Sequence, residues 1–96
     1  MEKQPAVYIL TNRPSGTLYT GVTSDLAKRV AQHRQNLVAG FTRRYNLHHL
    51  VWFEQHTAMD EALLREKQIK RWRRTWKIHL IETENPHWTD LYDTLF

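Results

Sequence analysis

One carboxylate stands where a helical reading puts apolar neighbours. On a helical wheel Glu66 falls among Ala58, Met59, Ala62 and Ile69. An ionised carboxylate there, without a partner, costs several kcal/mol or shifts its pKa. Two compensations are open: a metal ion held at a cleft, or an ion pair with Lys70 or Arg73. Spacing alone favours the ion pair, because i, i+4 pairs are common on helices. Earlier in the chain two phenols, Tyr8 and Tyr19, lie eleven positions apart. Arg29 and His33 follow at the spacing of one helical turn.

Three β-rich runs and three helical segments must position these groups. Residues 7–10 and 18–22 are β-branched and aromatic and read as strands. Between them TNRPSGT carries four kinds of turn former, so the two runs form an antiparallel hairpin. A turn centred near Arg13 and Pro14 sets Tyr8 roughly opposite Tyr19 on one face. Ser24 is the expected N-cap of the next helix, and Asp25 suits its positive start. Leu26, Val30 and Leu37 recur at helical spacing, with His33 inside that stripe and Arg29 on its edge. Both are then expected at the boundary between core and solvent. Residues 38–49 read as a loop with a basic and aromatic middle, Arg43, Arg44 and Tyr45.

Residues 50–54 make a third strand. Thr57 opens a second helix with a variant capping box, Thr-Ala-Met-Asp, and that helix runs to about Trp72. A further helical segment covers about 73–82, and Pro86 stops it. The apolar residues from Trp88 to Phe96 suggest a segment that folds back and packs. The expected class is α+β, a small three-stranded antiparallel sheet flanked by helices. Residues 1–96 read as one domain, with a core of about 6–82 and a C-terminal packing segment, 83–96.

Composition narrows the function classes. The chain is 41% apolar and 25% charged, with four Trp, four Tyr and three Phe, as a folded globular protein needs. It has no cysteine, hence no disulfide framework and no thiolate zinc site. The longest apolar run, 6–10, is too short to span a membrane or act as a signal peptide. A soluble cytoplasmic protein with no membrane partner is the expectation. Net charge is +4, and seven of the fourteen Lys and Arg residues fall within 65–77, before an acidic tail. A polyanion-facing surface and an ordinary solvated helix face explain that run equally well.

Taken together, Ala6-Val7-Tyr8, then Tyr19-Thr20-Gly21, then Arg29, then Glu66 within EALLREKQIK resemble the GIY-YIG nuclease family. The resemblance covers about 6–77. It is closest to small stand-alone members and more distant to the N-terminal nuclease module of the excision-repair subunit UvrC and to homing endonucleases. It implies a GIY-YIG-like fold and a metal-dependent endonuclease that hydrolyses DNA, in repair or recombination, with RNA not excluded. By position, Tyr8 and Tyr19 match the motif tyrosines, one of them the general base. Gly21 matches the motif glycine. Arg29 matches the arginine that neutralises the scissile phosphate, His33 a histidine found one turn later, and Glu66 the carboxylate that holds one Mg²⁺ or Mn²⁺.

Those residue types suit the chemistry. A guanidinium fork fits a phosphoryl anion, and Mg²⁺ is commonly held by one or two carboxylates while keeping waters. A phenol near pKa 10 needs a nearby cation to act as a base. The sequence departs from the family pattern at Ala6 and Thr20. Val22 and Thr23 stand where some members carry a lysine, and Asn85 is the nearest counterpart of a late asparagine.

Arg43, Arg44, Lys70, Arg71, Arg73 and Arg74 are the candidate nucleic-acid contacts. Trp72 and Trp76 could stack on bases, although packing is favoured for Trp. His48 and His49 alone make a poor metal site. Two other readings stand beside the nuclease: a nucleic-acid-binding module with little or no catalysis, and an interaction domain whose basic helix meets a protein partner that targets it.

Overall fold

The run Ala-Val-Tyr-Ile-Leu-Thr carries no polar alternation because its strand is covered on both faces. In a computed structural model, which describes residues 4–96, this strand β1 (Ala6–Thr11) is buried at every position. It lies between β2 (Leu18–Thr23) and β3 (His49–Gln55), in the order β2-β1-β3 with both pairings antiparallel. One face of the sheet packs Tyr8 and Leu10 with Leu26 and Val30 of α1 (Leu26–Arg34). The other packs Val7 and Ile9 with Ala62 and Ile69 of α3 (Met59–Arg71) and Ile81 of α4 (Arg74–Glu84). Of the expected polar lead-in, residues 1–5, the first three lie outside the described residues.

The hairpin forms, but its register differs from the expected one. Tyr8 pairs with Gly21, and Tyr19 pairs with Leu10. The turn is centred one residue later, on Pro14 and Ser15. The Gly16 N–H donates to the Arg13 carbonyl at 2.9 Å, and Ser15 takes φ +55°. The slip of partner is two residues, an even number, so both tyrosines stay on one face.

Helix α1 begins one residue later than expected. Asp25, not Ser24, is the N-cap, and its carboxylate accepts from the Lys28 N–H at 3.3 Å. The helix also ends earlier. Asn36 takes φ +56° and donates to the His33 carbonyl, while Leu37 N–H reaches back to the Gln32 carbonyl. This is a left-handed helix stop. It throws Leu37 out of the stripe, to 68% exposure.

The expected loop holds a one-turn helix, α2 (Phe41–Arg44). Helix α3 starts at Met59 with Ala58 as its N-cap and no side-chain cap, so the capping box does not form. Thr57 Oγ1 instead donates to Glu61 Oε2 at 3.4 Å. Trp72 and Arg73 are extended and separate α3 from α4.

The C-terminal segment folds back over the outer edge of β3. Leu91 N–H donates to the Leu50 carbonyl at 2.7 Å, and Asp90 both accepts from Leu50 N–H and pairs with Arg34 at 2.7 Å. A short 3-10 turn, Tyr92–Leu95, follows and buries Leu95. Covering the edge removes a free strand edge. Asp90 is thereby committed to α1 and β3 rather than to the basic helices. Among the described residues no helix is long and apolar enough to cross a membrane.

Candidate active site

The Tyr8–Gly21 pairing positions the first phenol. A Cβ at Gly21 would fall on Cζ of the Tyr8 ring and 2.5 Å from its phenolic oxygen. Only a residue without a side chain lets the ring lie across β2 there. Beneath it, the phenol meets Nε2 of His33 at 3.0 Å. The Nδ1 of that ring meets Thr42 Oγ1, also at 3.0 Å. His33 is 2% exposed, deeper than the boundary position expected for it.

Donor and acceptor counting favours one tautomer. Arg29 favours the ionised form of Tyr8 by hydrogen bonding and by charge, and a guanidinium only donates. The buried phenolic proton therefore goes to His33 Nε2, the ring nitrogen 3.0 Å away. The imidazole then carries its proton on Nδ1 and donates it to Thr42 Oγ1.

Burial sets the resting charges. It pushes the Tyr8 phenol up to about 12, with Tyr19 and Glu66 adding to the rise and Arg29 opposing it. Burial also pushes His33 down to about 4, helped by the charges of Arg29 and His48. The free site is thus neutral at both groups.

Tyr19 completes an aromatic triangle, with ring centroids 6.3 Å from Tyr8 and 5.9 Å from His33, the same spacing that separates Tyr8 from His33. A polar hollow of about 280 Å³ opens at the β2–α1 junction, with Asp25, Lys28 and Arg29 on its wall, and Arg29 links it to Tyr8. Gly21, Arg29 and Glu66, from β2, α1 and α3, all bear on the phenol of Tyr8 on β1.

Comparison with known proteins identifies the family. A family model described as the GIY-YIG catalytic domain matches residues 4–79. The chain belongs to the GIY-YIG family. It is similar to the UPF0213 proteins of Staphylococcus aureus strains Mu50, N315 and MW2. Each is 39% identical over 67 residues, which is 70% of this chain and 82% of the relative. No solved structure matches the chain.

In this GIY-YIG chain Glu66, the carboxylate expected to hold a metal, lies on α3. Its Oε2 pairs with Lys70 Nζ at 3.0 Å, so the ion pair favoured by spacing forms. Yet the same carboxylate is near enough to Tyr8 to raise its pKa. Among the described residues no three His, Asp or Glu side chains cluster as a metal cage would need. A single carboxylate such as Glu66 fits Mg²⁺ or Mn²⁺, which keep waters and lean on substrate phosphate. It does not fit a four-ligand zinc site.

The remaining candidates fall at several places. Arg43 and Arg44 are exposed on α2, and Arg71 and Arg73 are exposed where α3 gives way to α4. Arg74 Nη2 donates to the carbonyls of Ser15 and Gly16, both at 2.6 Å, and so ties α4 to the hairpin tip. Asn85 lies away from the phenols. Its Nδ2 donates to the Val51 and Thr89 carbonyls, which fastens the end of α4 to β3. His48 bonds Asn36 at 2.8 Å.

Sequence reasoning missed Thr42, which holds the far nitrogen of His33. A threonine between Phe41 and two arginines carries no pattern that singles it out. It also missed Lys28, whose signal was present: a second cation beside Arg29 at the same helix start.

Proposed function

We propose that this GIY-YIG chain is a divalent-metal-dependent endonuclease that hydrolyses DNA phosphodiester bonds, directed by substrate structure more than by sequence, in repair or recombination. One observation supports the reading above the others. A single phenolic oxygen, on Tyr8, has a guanidinium beside it, an imidazole nitrogen 3.0 Å away and a carboxylate near enough to shift its pKa.

In this reading Arg29, with Lys28 behind it, binds the scissile phosphate in the polar hollow. Its fork neutralises charge that grows on the phosphoryl oxygens. Tyr8 is the general base: it takes the proton of the attacking water as its own proton moves to His33 Nε2. The water oxygen bonds to phosphorus, and the bond from phosphorus to the leaving sugar oxygen breaks. Thr42 holds the imidazole so that Nε2 faces Tyr8. Tyr19 packs against the Tyr8 and His33 rings and positions them. Glu66 would hold the Mg²⁺ or Mn²⁺, which when bound supplies Lewis-acid stabilisation of the phosphoryl and leaving oxygens.

Supercoiled plasmid incubated with the protein and Mg²⁺ tests this. Nicking is expected, and Tyr8→Phe and Glu66→Ala should each abolish it while circular dichroism shows folded protein. Cleavage that survives both substitutions would refute the assignment.

A second reading, a nucleic-acid-binding module without catalysis, is favoured by the structural use of Asn85, which fastens α4 to β3. It predicts salt-sensitive DNA binding with no metal-dependent cutting.

A further inference from the structure

Away from the Tyr8 site, an apolar slot of about 390 Å³ opens where α3 meets α4, lined by Trp72, Trp76, His79, Leu80, Thr83 and Glu84. The two indoles meet edge to face, with centroids 6.2 Å apart and planes at 75°. Trp72 is braced from behind by Arg65, whose guanidinium carbon lies 5.3 Å from the ring centroid. Trp76 is 56% exposed. Packing is the usual fate of a tryptophan, and Trp72 follows it while Trp76 does not.

The surroundings are cationic. Lys70, Arg71, Arg73, Arg74 and Lys77 fall within eight consecutive residues, and no acid stands between Glu66 and Glu82. Arg74 is held by the hairpin carbonyls and Lys70 by Glu66. The acids that could neutralise the rest are used elsewhere: Asp90 pairs with Arg34, and Glu82 accepts from Trp88 Nε1. Glu84 stands at the far end of the slot. The Lys77 ammonium is disfavoured by burial and then by the charges of Arg74 and Lys70, as expected where positive charge is in excess.

We propose that this slot receives an unpaired nucleobase of a single-stranded nucleic acid, stacked on Trp76, with the neighbouring phosphates on Lys77, Arg73 and Arg71. The inference rests on nucleic acid being the substrate of the nuclease site. A flat π face beside uncompensated cations is what a nucleotide with a free base presents a use for. A duplex hides its base faces, and an apolar peptide would leave the cations without partners. Glu66 precedes Trp72 by six residues, roughly 9 Å of helix rise. Trp72 and Leu80 pack with the sheet face opposite Tyr8, so on this proposal one strand passes around the end of α3 to reach both places. The slot would select substrates that carry an unpaired strand close to the scissile bond, such as flaps and overhangs.

Binding without metal separates this slot from catalysis. Fluorescence anisotropy in EDTA would compare labelled oligo-deoxythymidine, the same strand with abasic sites, and a blunt duplex. Stacking on an aromatic is worth about 1–3 kcal/mol per base, so Trp76→Ala should lower single-strand affinity about tenfold, and more than it lowers duplex affinity. Trp76→Phe should recover most of the loss. Abasic sites should weaken the unsubstituted protein by the same factor and leave Trp76→Ala indifferent. Equal losses on strand and duplex, or no loss at all, would overturn the proposal, with thermal melts confirming that each variant is folded. A protein that nicks plasmid yet binds normal and abasic strands alike would lose the slot alone. One that neither binds nor cuts would lose the nuclease reading with it.

Discussion

His33 should give the protein an acid weakness that a single substitution removes. Its imidazole is buried between Tyr8 and Thr42, and its pKa is lowered from 6.5 to about 4 by burial and by the charges of Arg29 and His48. A depressed folded-state pKa stabilises the fold fully above 6.5, and that contribution is lost as pH falls towards 4. In the unfolded chain the ring gains its proton near 6.5; in the fold it resists until about 4. At about 1.4 kcal/mol per pKa unit, the loss relative to pH 7 reaches about 2 kcal/mol at pH 5 and about 3 kcal/mol at pH 4. Urea unfolding of the protein and of His33→Gln at pH 7, 5 and 4 would measure it. The substitution lowers stability at every pH by disturbing Tyr8 and Thr42, so the diagnostic quantity is the slope. The other ionisable groups are common to both proteins and cancel in the difference. The unsubstituted protein should lose about 3 kcal/mol more than the variant across this range. Parallel lines would refute the assignment of a neutral, buried imidazole bonded at both nitrogens.

Two further substitutions probe the phenol. Gly21→Ala drives a methyl group into the Tyr8 ring; a loss of about 1–3 kcal/mol in denaturant unfolding is expected, with nicking abolished, and full activity would show that the ring need not lie there. Glu66→Gln removes a charge that raises the Tyr8 pKa, so tyrosinate absorbance should show that phenol ionising at lower pH even as cutting is lost. An unchanged or higher pKa would mean that the carboxylate and phenol do not meet.

The strands and helices were legible because each carries its own signal: a wholly apolar central strand, a 3.6-residue stripe, a Pro-bearing turn. What failed were details decided by single residues in unusual backbone states. Ser15 at positive φ moved the turn by one residue and the tyrosine pairing by two, and Asn36 at positive φ ended α1 before Leu37. The tyrosine prediction kept its face only because the slip was even. The His33–Thr42 bond was not legible at all. It depends on a one-turn helix inside a segment whose composition reads as loop.

Glu66 shows why local spacing could not choose between its two compensations. Lys70 stands one turn away on the same helix whatever the rest of the chain does. Tyr8 is brought near only by the packing of α3 on the sheet, a relation that no pattern along the helix encodes. Both relations hold in the folded protein, so the ion pair does not argue against a cation site. The Lys70 side chain is 49% exposed and meets only Oε2 of a carboxylate that is itself 13% exposed. The ammonium end is solvent-screened, as in exposed i, i+4 pairs worth about 0.3–0.5 kcal/mol, whereas the mostly buried carboxylate is costly to leave without any cation. Lys70 therefore satisfies Glu66 while the site is free and can be displaced cheaply when a stronger cation arrives with the phosphate. Lys70→Met should accordingly raise metal affinity or leave it level, and a fall in affinity would make the lysine part of the metal site rather than its placeholder.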